Sequence, residues 1–438
     1  MPSLRSVRPW AVVALAAGVT SAVGSAGCRQ ETILLAPRAD TTHTGGTGGG
    51  TVQRVPLTLT IKLFPNDTGM GIALGWPSGV VPGAAVTLQR DGTSDTTLHA
   101  ISDSLGKITF PSILTGSYSI SALRVVDSTE RPRLPAGYRD VDALGSGGRV
   151  GVDTPSVVTN FTLPVSHRGS LLVSEFWSPL NADPLPNSIY PFAGFVELYN
   201  NSDTTIYLDG LIFGDGLLAN PYIYPGSANS CTNFADMMGD TTGVWAEMLF
   251  RFPGSGHDHP ISPGQAVVIA TDAVDHRVVN PDASDLTNAD FEFIGPSDVD
   301  NPAVPNMINL GTREATFGHG WYAIDRGAPF VALPLSVDTL PKRVIYTDYL
   351  TYYHVARSAI LGLSLFLMPL PTRDYCRPLV TPSLDAAPAF LPYVDYYSPS
   401  MQRRVLRRLP DGRAVLQNTR TSVNDFVLTT PRTPGSVP

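Results

Sequence analysis

Gly194-Phe195-Val196-Glu197-Leu198-Tyr199-Asn200-Asn201-Ser202-Asp203-Thr204-Thr205-Ile206-Tyr207-Leu208-Asp209-Gly210-Leu211 sets the fold class of this 438-residue chain. Val196 and Leu198, then Ile206 and Leu208, read as strands around an Asn-Asn-Ser-Asp turn. Downstream, Pro263-Gly264 starts a segment containing Val267-Val268-Ile269, whose β-branched residues suit a buried strand. Upstream, Leu57, Leu59, Ile61 and Leu63 alternate with Thr58, Thr60 and Lys62, a period of two. Pro82-Gly83 precedes a strand at 84–88, Arg90-Asp91-Gly92 makes a turn, and 105–110 and 114–120 give further turns and strands. Short strands about every 8–12 residues, punctuated by Gly, predict an all-β protein built as β-sandwiches.

Hydrophobic residues make up 43% of the chain, ample for real cores, while charged residues at 16% are sparse against a typical ~25%. Forty Gly and 39 Pro argue for many turns and few long helices. A formal charge of −8 points away from nucleic acid, which requires a basic footprint. Arg403, Arg404, Arg407 and Arg408 are the local exception and read as a solvated face. Asp127, Glu130, Asp140, Asp142 and Asp153, scattered among Gly and Pro, read as a solvated loop over 127–156. The apolar run 359–368 is too short to span a bilayer and reads as a buried strand or short core helix.

The N-terminus carries an export signal. Arg5 and Arg8 are followed by an uncharged apolar stretch from Trp10 to Val23 and then by Ser25-Ala26-Gly27-Cys28. Basic, apolar, then small is the layout of a secretory signal peptide, here residues 1–27. Ala26-Gly27-Cys28 resembles the bacterial lipobox, with Ser25 where that pattern usually has Leu; the resemblance implies a lipid on Cys28. The alternative is a secreted protein cut near Ala26, with Cys28 incidental. Residues 28–54 are polar and Gly-rich, the composition of a flexible tether. The expected location is the outer membrane or cell surface, with the membrane itself a partner through the anchor. Cys231 and Cys376 then remain as an even pair in an oxidising compartment and are expected to form a disulfide across a very long loop, the alternative being two separate buried thiols.

Two further resemblances organise the rest. Pro82-Gly83 with Val86, the turn Asp103-Ser104-Leu105-Gly106, and Leu114, Gly116 and Tyr118 stand in the order of the carboxypeptidase regulatory-like, or transthyretin-like, module. That resemblance covers 55–165 and implies a small immunoglobulin-like sandwich without chemistry of its own. Glu175, Glu197, Asn200, Gly210, Gly264, Phe426, Pro434 and Gly435 match the marks of the lamin-tail domain in its bacterial surface form. This second resemblance covers 169–438 and implies another immunoglobulin-like sandwich, with long insertions at about 214–260 and 275–400. The pairing of the two modules is similar to uncharacterised outer-membrane lipoproteins of Gram-negative bacteria.

Candidate chemistry is thin. His257-Asp258-His259 is the one compact ligand-like group; on a strand its two imidazoles would share a face and could hold a metal with help from His276, His319 or His354. No nucleophile elbow or phosphate loop accompanies it. Glu175 and Glu197 could form an acid–base pair, but the lamin-tail resemblance makes them structural. Tyr190, Phe192, Tyr222, Tyr224, Tyr349, Tyr352, Tyr353, Tyr393, Tyr396 and Tyr397 either pack the insertions or stack on a sugar or protein partner. Two functions follow: a non-catalytic, cofactor-free surface lipoprotein that binds a glycan or protein, or an exported metal-dependent hydrolase using His257 and His259. Convergence of three ligand atoms near those histidines separates them. For the anchor, Cys28→Ser is expected to move the protein from the membrane fraction to the soluble fraction on cell fractionation. Wild-type recovery of the variant in membranes counts against lipidation.

Overall fold

The computed structural model describes residues 57–438 except 77–78, 92–96, 178–192, 217–241, 280, 282, 294–298, 312–326, 346–349, 368–379, 382, 391–398 and 437–438. All of them belong to one unit, residues 54–438. Cys28, Cys231 and Cys376 lie outside the described residues.

The first strands are Leu57–Pro65 (β1), Ala85–Arg90 (β2), Leu98–Ile101 (β3), Lys107–Ile113 (β4), Gly116–Val125 (β5), Val141–Val152 (β6), Ser156–Leu163 (β7) and Val165–His167 (β8). They form a sheet ordered β4-β1-β7 and a second ordered β3-β2-β5-β6-β8. The alternation read from the sequence is the alternation of burial: Leu57, Leu59, Ile61 and Leu63 share a core with Val86, Leu88, Ile108, Phe110, Tyr118 and Ile120. The turn before β4 is held by Asp103, whose carboxylate accepts from the N–H groups of Leu105 and Lys107. Gly106 sits there at φ +65, and a Cβ would press on the Leu63 carbonyl.

Two features depart from the sequence reading. A helix, Thr68–Leu74, is capped by Asp67 and turns Met70 and Leu74 into the core; its two glycines give it too little helix propensity to be legible. The expected loop over 127–156 contains a long strand at 141–152, because β6 pairs with β5 along ten registered positions from Val125↔Ala143 to Gly116↔Val152. Two of its glycines serve packing: a Cβ on Gly148 would overlap the Phe161 ring, and one on Gly145 would press on Leu406.

The second half contributes Leu171–Trp177 (β9), Phe195–Asn200 (β10), Ile206–Tyr207 (β11), Ile212–Gly216 (β12), Gly243–Arg251 (β13), Pro260–Ile261 (β14) and Ala266–Ala270 (β15). It continues with Phe291–Phe293 (β16), Asn306–Asn309 (β17), Ala328–Ala332 (β18), Lys342–Ile345 (β19), Leu350–Ala356 (β20), Ile360–Leu363 (β21) and Phe366–Leu367 (β22). Ala389–Phe390 (β23), Ser400–Arg403 (β24), Val405–Arg408 (β25), Ala414–Leu416 (β26) and Phe426–Thr429 (β27) complete it. A 13-stranded sheet runs β21-β18-β12-β13-β17-β16-β15-β10-β9-β24-β27, with β20 paired to β13 and β19 to β20. Strands from 214–260 and 275–400 are thus woven into the same sheet as β9 and β10. Every residue of β9 and β10 is buried, and the apolar run 359–368 supplies β21 and β22. The aromatic centre is Phe176 stacked on Phe366 at 4.6 Å, with Phe426 edge-on to Phe366 at 4.9 Å. The expected all-β, sandwich-type fold is the fold observed.

The two halves meet through charge. Asp142, buried at the start of β6, takes a bidentate pair of bonds from Arg407 of β25 at 2.7 and 2.8 Å, with Arg168 3.6 Å away. Asp140 accepts from Arg420 and faces His167, while the Asn418 N–H donates to Ser166 Oγ and its carbonyl accepts from the His167 N–H. Asp142 of the acidic loop and Arg407 of the arginine cluster are therefore not on solvated faces; each is the other's partner. Removing Arg407 leaves a buried carboxylate short of its donors, so Arg407→Ala is expected to cost on the order of 2–4 kcal/mol. Asp142→Ala/Arg407→Ala is expected to regain part of that in thermal unfolding. An unchanged melting temperature for Arg407→Ala refutes the assignment.

Candidate functional site

The loop that carries His257-Asp258-His259 connects β13 to β14 and is built around another residue, Asp209. Its carboxylate accepts from the N–H groups of Gly256, Asp258 and His259 at 3.2, 2.9 and 2.9 Å. Burial opposes that charge, but the three backbone donors outweigh it and hold the carboxyl at about 2. Gly254 and Gly256 take φ of +112 and +120, which lets the backbone curl around the carboxylate. The segment is thus a bend rather than a strand, and the two imidazoles do not share a face. His257, exposed, sets its ring edge-on to Tyr207 at 4.5 Å, while His259 packs edge-on to Phe291 at 5.0 Å. Asp258 accepts from the N–H and hydroxyl of Ser255.

The other histidines go elsewhere. His276 is buried, with Nε2 2.9 Å from the Asp272 carbonyl, and burial lowers its pKa. His354 is buried against Trp245, and His319 lies outside the described residues. Among the described residues, no three His, Cys, Asp or Glu side chains gather to hold a metal ion. Of the loop aromatics singled out by sequence, the two described, Tyr352 and Tyr353, are buried in the core. The rest lie outside the described residues. Tyr207, which no periodicity argument selected, is the exposed ring on the His257 face.

Glu175 and Glu197 are opposed on β9 and β10 and are both buried. Their partners come from the end of the chain. Thr433 gives its N–H and hydroxyl to Glu175 at 3.0 and 2.9 Å, and Gly435 gives its N–H to Glu197 at 2.9 Å. Ser174 donates to the other Glu197 oxygen at 2.6 Å, and Gln402 of β24 donates to the Thr433 hydroxyl at 2.7 Å. Burial pushes the Glu197 carboxyl up to about 7; the Ser174 and Gly435 bonds oppose this, and the nearby charges of Glu175 and Asp290 add to it. The pair is a clasp for the C-terminal segment.

A second buried group sits beside it. Arg403 of β24, expected at the surface, is buried; it donates to the Val173 and Gln417 carbonyls, to Ser364 Oγ, and to Asp425 at 3.3 Å. Asp425 also takes the Thr419 N–H and hydroxyl and the Gln417 amide.

Residues 262–324 match the family model described as "Protein of unknown function (DUF4876)". The fold is similar to the crystal structure of a DUF4876 family protein from Bacteroides thetaiotaomicron. That likeness has 17% identity and a TM-score of 0.50, and covers 87% of this chain and 98% of that one; at that identity it shows the fold alone. A DUF3823 family protein from Parabacteroides merdae has 8% identity and a TM-score of 0.17, over 37% of this chain and 67% of that one. A Bacteroides uniformis protein to which carbohydrate binding is ascribed has 11% identity and a TM-score of 0.15, over 48% and 98%. These last two likenesses are too slight to carry an argument. No curated protein matches the chain.

Because the folded-state pKa of Glu197 is raised above its ordinary value, its contribution to stability is fully present below about pH 4.5 and is lost as pH rises through about 7. The loss amounts to roughly 3 kcal/mol. Glu197→Gln, which keeps the shape without the charge, is expected to flatten the fall in unfolding free energy between pH 5 and 8. A variant profile parallel to wild type sinks this assignment.

Proposed function

We propose that the chain is a member of the DUF4876 family that works as a lipid-anchored, non-catalytic surface protein. It presents two sandwich modules, 55–165 and 169–438, to a glycan or protein partner outside the cytoplasm. One observation carries the binding reading: the use made of polar groups. Glu175, Glu197, Arg403 and Asp425 are buried and bonded within the fold, whereas Tyr207, His257 and Asp258 stand exposed on a backbone fixed by Asp209. An aromatic ring offers stacking area to a sugar face or an apolar side chain, and the adjacent imidazole supplies a directional bond. A backbone already fixed reduces the ordering cost of binding. The signal layout, Cys28 and the Gly-rich segment after it support the anchor and the location.

The test is a glycan array and a cell-surface pull-down with the unlipidated protein, beginning at residue 29. Wild type is expected to retain a partner, and Tyr207→Ala/His257→Ala to weaken it by about tenfold or more at an unchanged melting temperature. Undiminished binding by the double variant removes this face from the reading.

A further inference from the structure

We propose that the β1–β7 pair is a shear clamp, a load-bearing joint that transmits tension between the N-terminal anchor and a partner held by the second half. β1 and β7 run parallel over eight registered pairs, from Thr58↔Ser156 to Pro65↔Leu163. The ladder is closed at both ends, by the Thr58 N–H on the Pro155 carbonyl at 3.0 Å and by the Asn66 N–H on the Leu163 carbonyl at 3.1 Å. That places about 26 Å of strand between the two ends.

Direction of load decides how such a ladder fails. Tension from an anchor at Cys28 reaches β1 at Leu57. Tension from the second half leaves at the opposite end, where Leu163 leads through Pro164 into β8 and on to β9. The contacts that tie the halves together lie at that same end: Asn418 bonds to Ser166 and His167 of β8, and β8 pairs with the Asp142 end of β6, where Arg407 docks. The two strands are therefore pulled past each other along their length. All the ladder bonds share the load, and none can break alone, as they would if the strands were peeled from one end.

Sliding also has a hydrophobic cost. β1 is the central strand of its sheet, with β4 antiparallel on its other edge. Leu57, Leu59, Ile61 and Leu63 are all buried, so a shift by one residue would turn the whole row toward the wrong face. In a parallel ladder alternate residues bond to the partner, and the two end bonds place Val157, Thr159 and Phe161 toward β1. Val158, Asn160 and Thr162 then direct their N–H groups to the open edge of β7.

This inference rests on the anchored reading for its biological direction of pull but not for the joint itself, so the two are tested apart: Cys28→Ser fractionation tests the anchor, and force tests the clamp. In single-molecule pulling of the whole chain, handles at residues 56 and 163 load the pair in shear, and handles at 56 and 155 peel it. The shear geometry is expected to rupture at several-fold higher force at the same loading rate. Asn160→Pro should leave that force unchanged and Thr159→Pro should lower it, both compared among molecules with the wild-type contour-length step. Equal rupture forces in the two geometries overturn the proposal.

Discussion

A carboxylate can be buried only where donors meet it, and in this protein donors for Glu175 and Glu197 lie 258 and 238 residues further along the chain. The opposed glutamates of β9 and β10 would repel each other in an incomplete sheet. They become tolerable once Thr433 and Gly435 bring main-chain N–H groups to them. The order of folding events is thereby constrained, since two fully buried strands of the second half stay electrostatically unfinished until the last segment has docked. Gln402 extends the same clasp to β24, and Arg403, the next residue, carries the neighbouring buried charge.

Arg403 and Asp425 repeat the principle with opposite signs present. A buried ion pair of this kind adds little net stability, because desolvation offsets most of the attraction. It does specify geometry: guanidinium bonds to Val173, Gln417 and Ser364 fix three separate segments around one planar group. Asp142 and Arg407 do the same between the halves. The protein thus uses buried polar groups as registration marks where apolar contact alone would allow sliding. A rigid connection between halves is also what allows tension to arrive at one defined end of β7.

How much of this was legible in the sequence depended on the range of the interaction. Alternation is local, so β1, β2, β4 and β5 could be read directly from Leu57–Leu63, Val86 and Leu88, Ile108 and Phe110, and Tyr118 and Ile120. The Asp103 turn was legible for the same reason. Glycine misled: in β6 it signalled a loop, whereas Gly148 is there because Phe161 lies over the strand. Charge misled further. Arg407 and Asp142 each look solvated within their own segment, and only the fold places them 265 residues apart in sequence yet 2.7 Å apart in space. At His257 and His259 the assumption of a strand supplied the shared face. Asp209, by gathering three N–H groups, turned that segment into a bend, and nothing local to the histidines announces it.

The matched segment, 262–324, is the part of the sheet where alternation is least informative. There β15, β16 and β17 run parallel, so their connections must cross over and cannot be hairpins. Parallel neighbours joined by such long loops have no turn to set their register, and the loops need side chains to fix them. Glu292, fully buried on β16, accepts from the Ala273 and Asn301 N–H groups, one on each connection, while the Asn301 amide returns to the Ala273 carbonyl. The identity of such residues is specified by the fold far more tightly than that of an apolar position, where Val, Ile and Leu interchange.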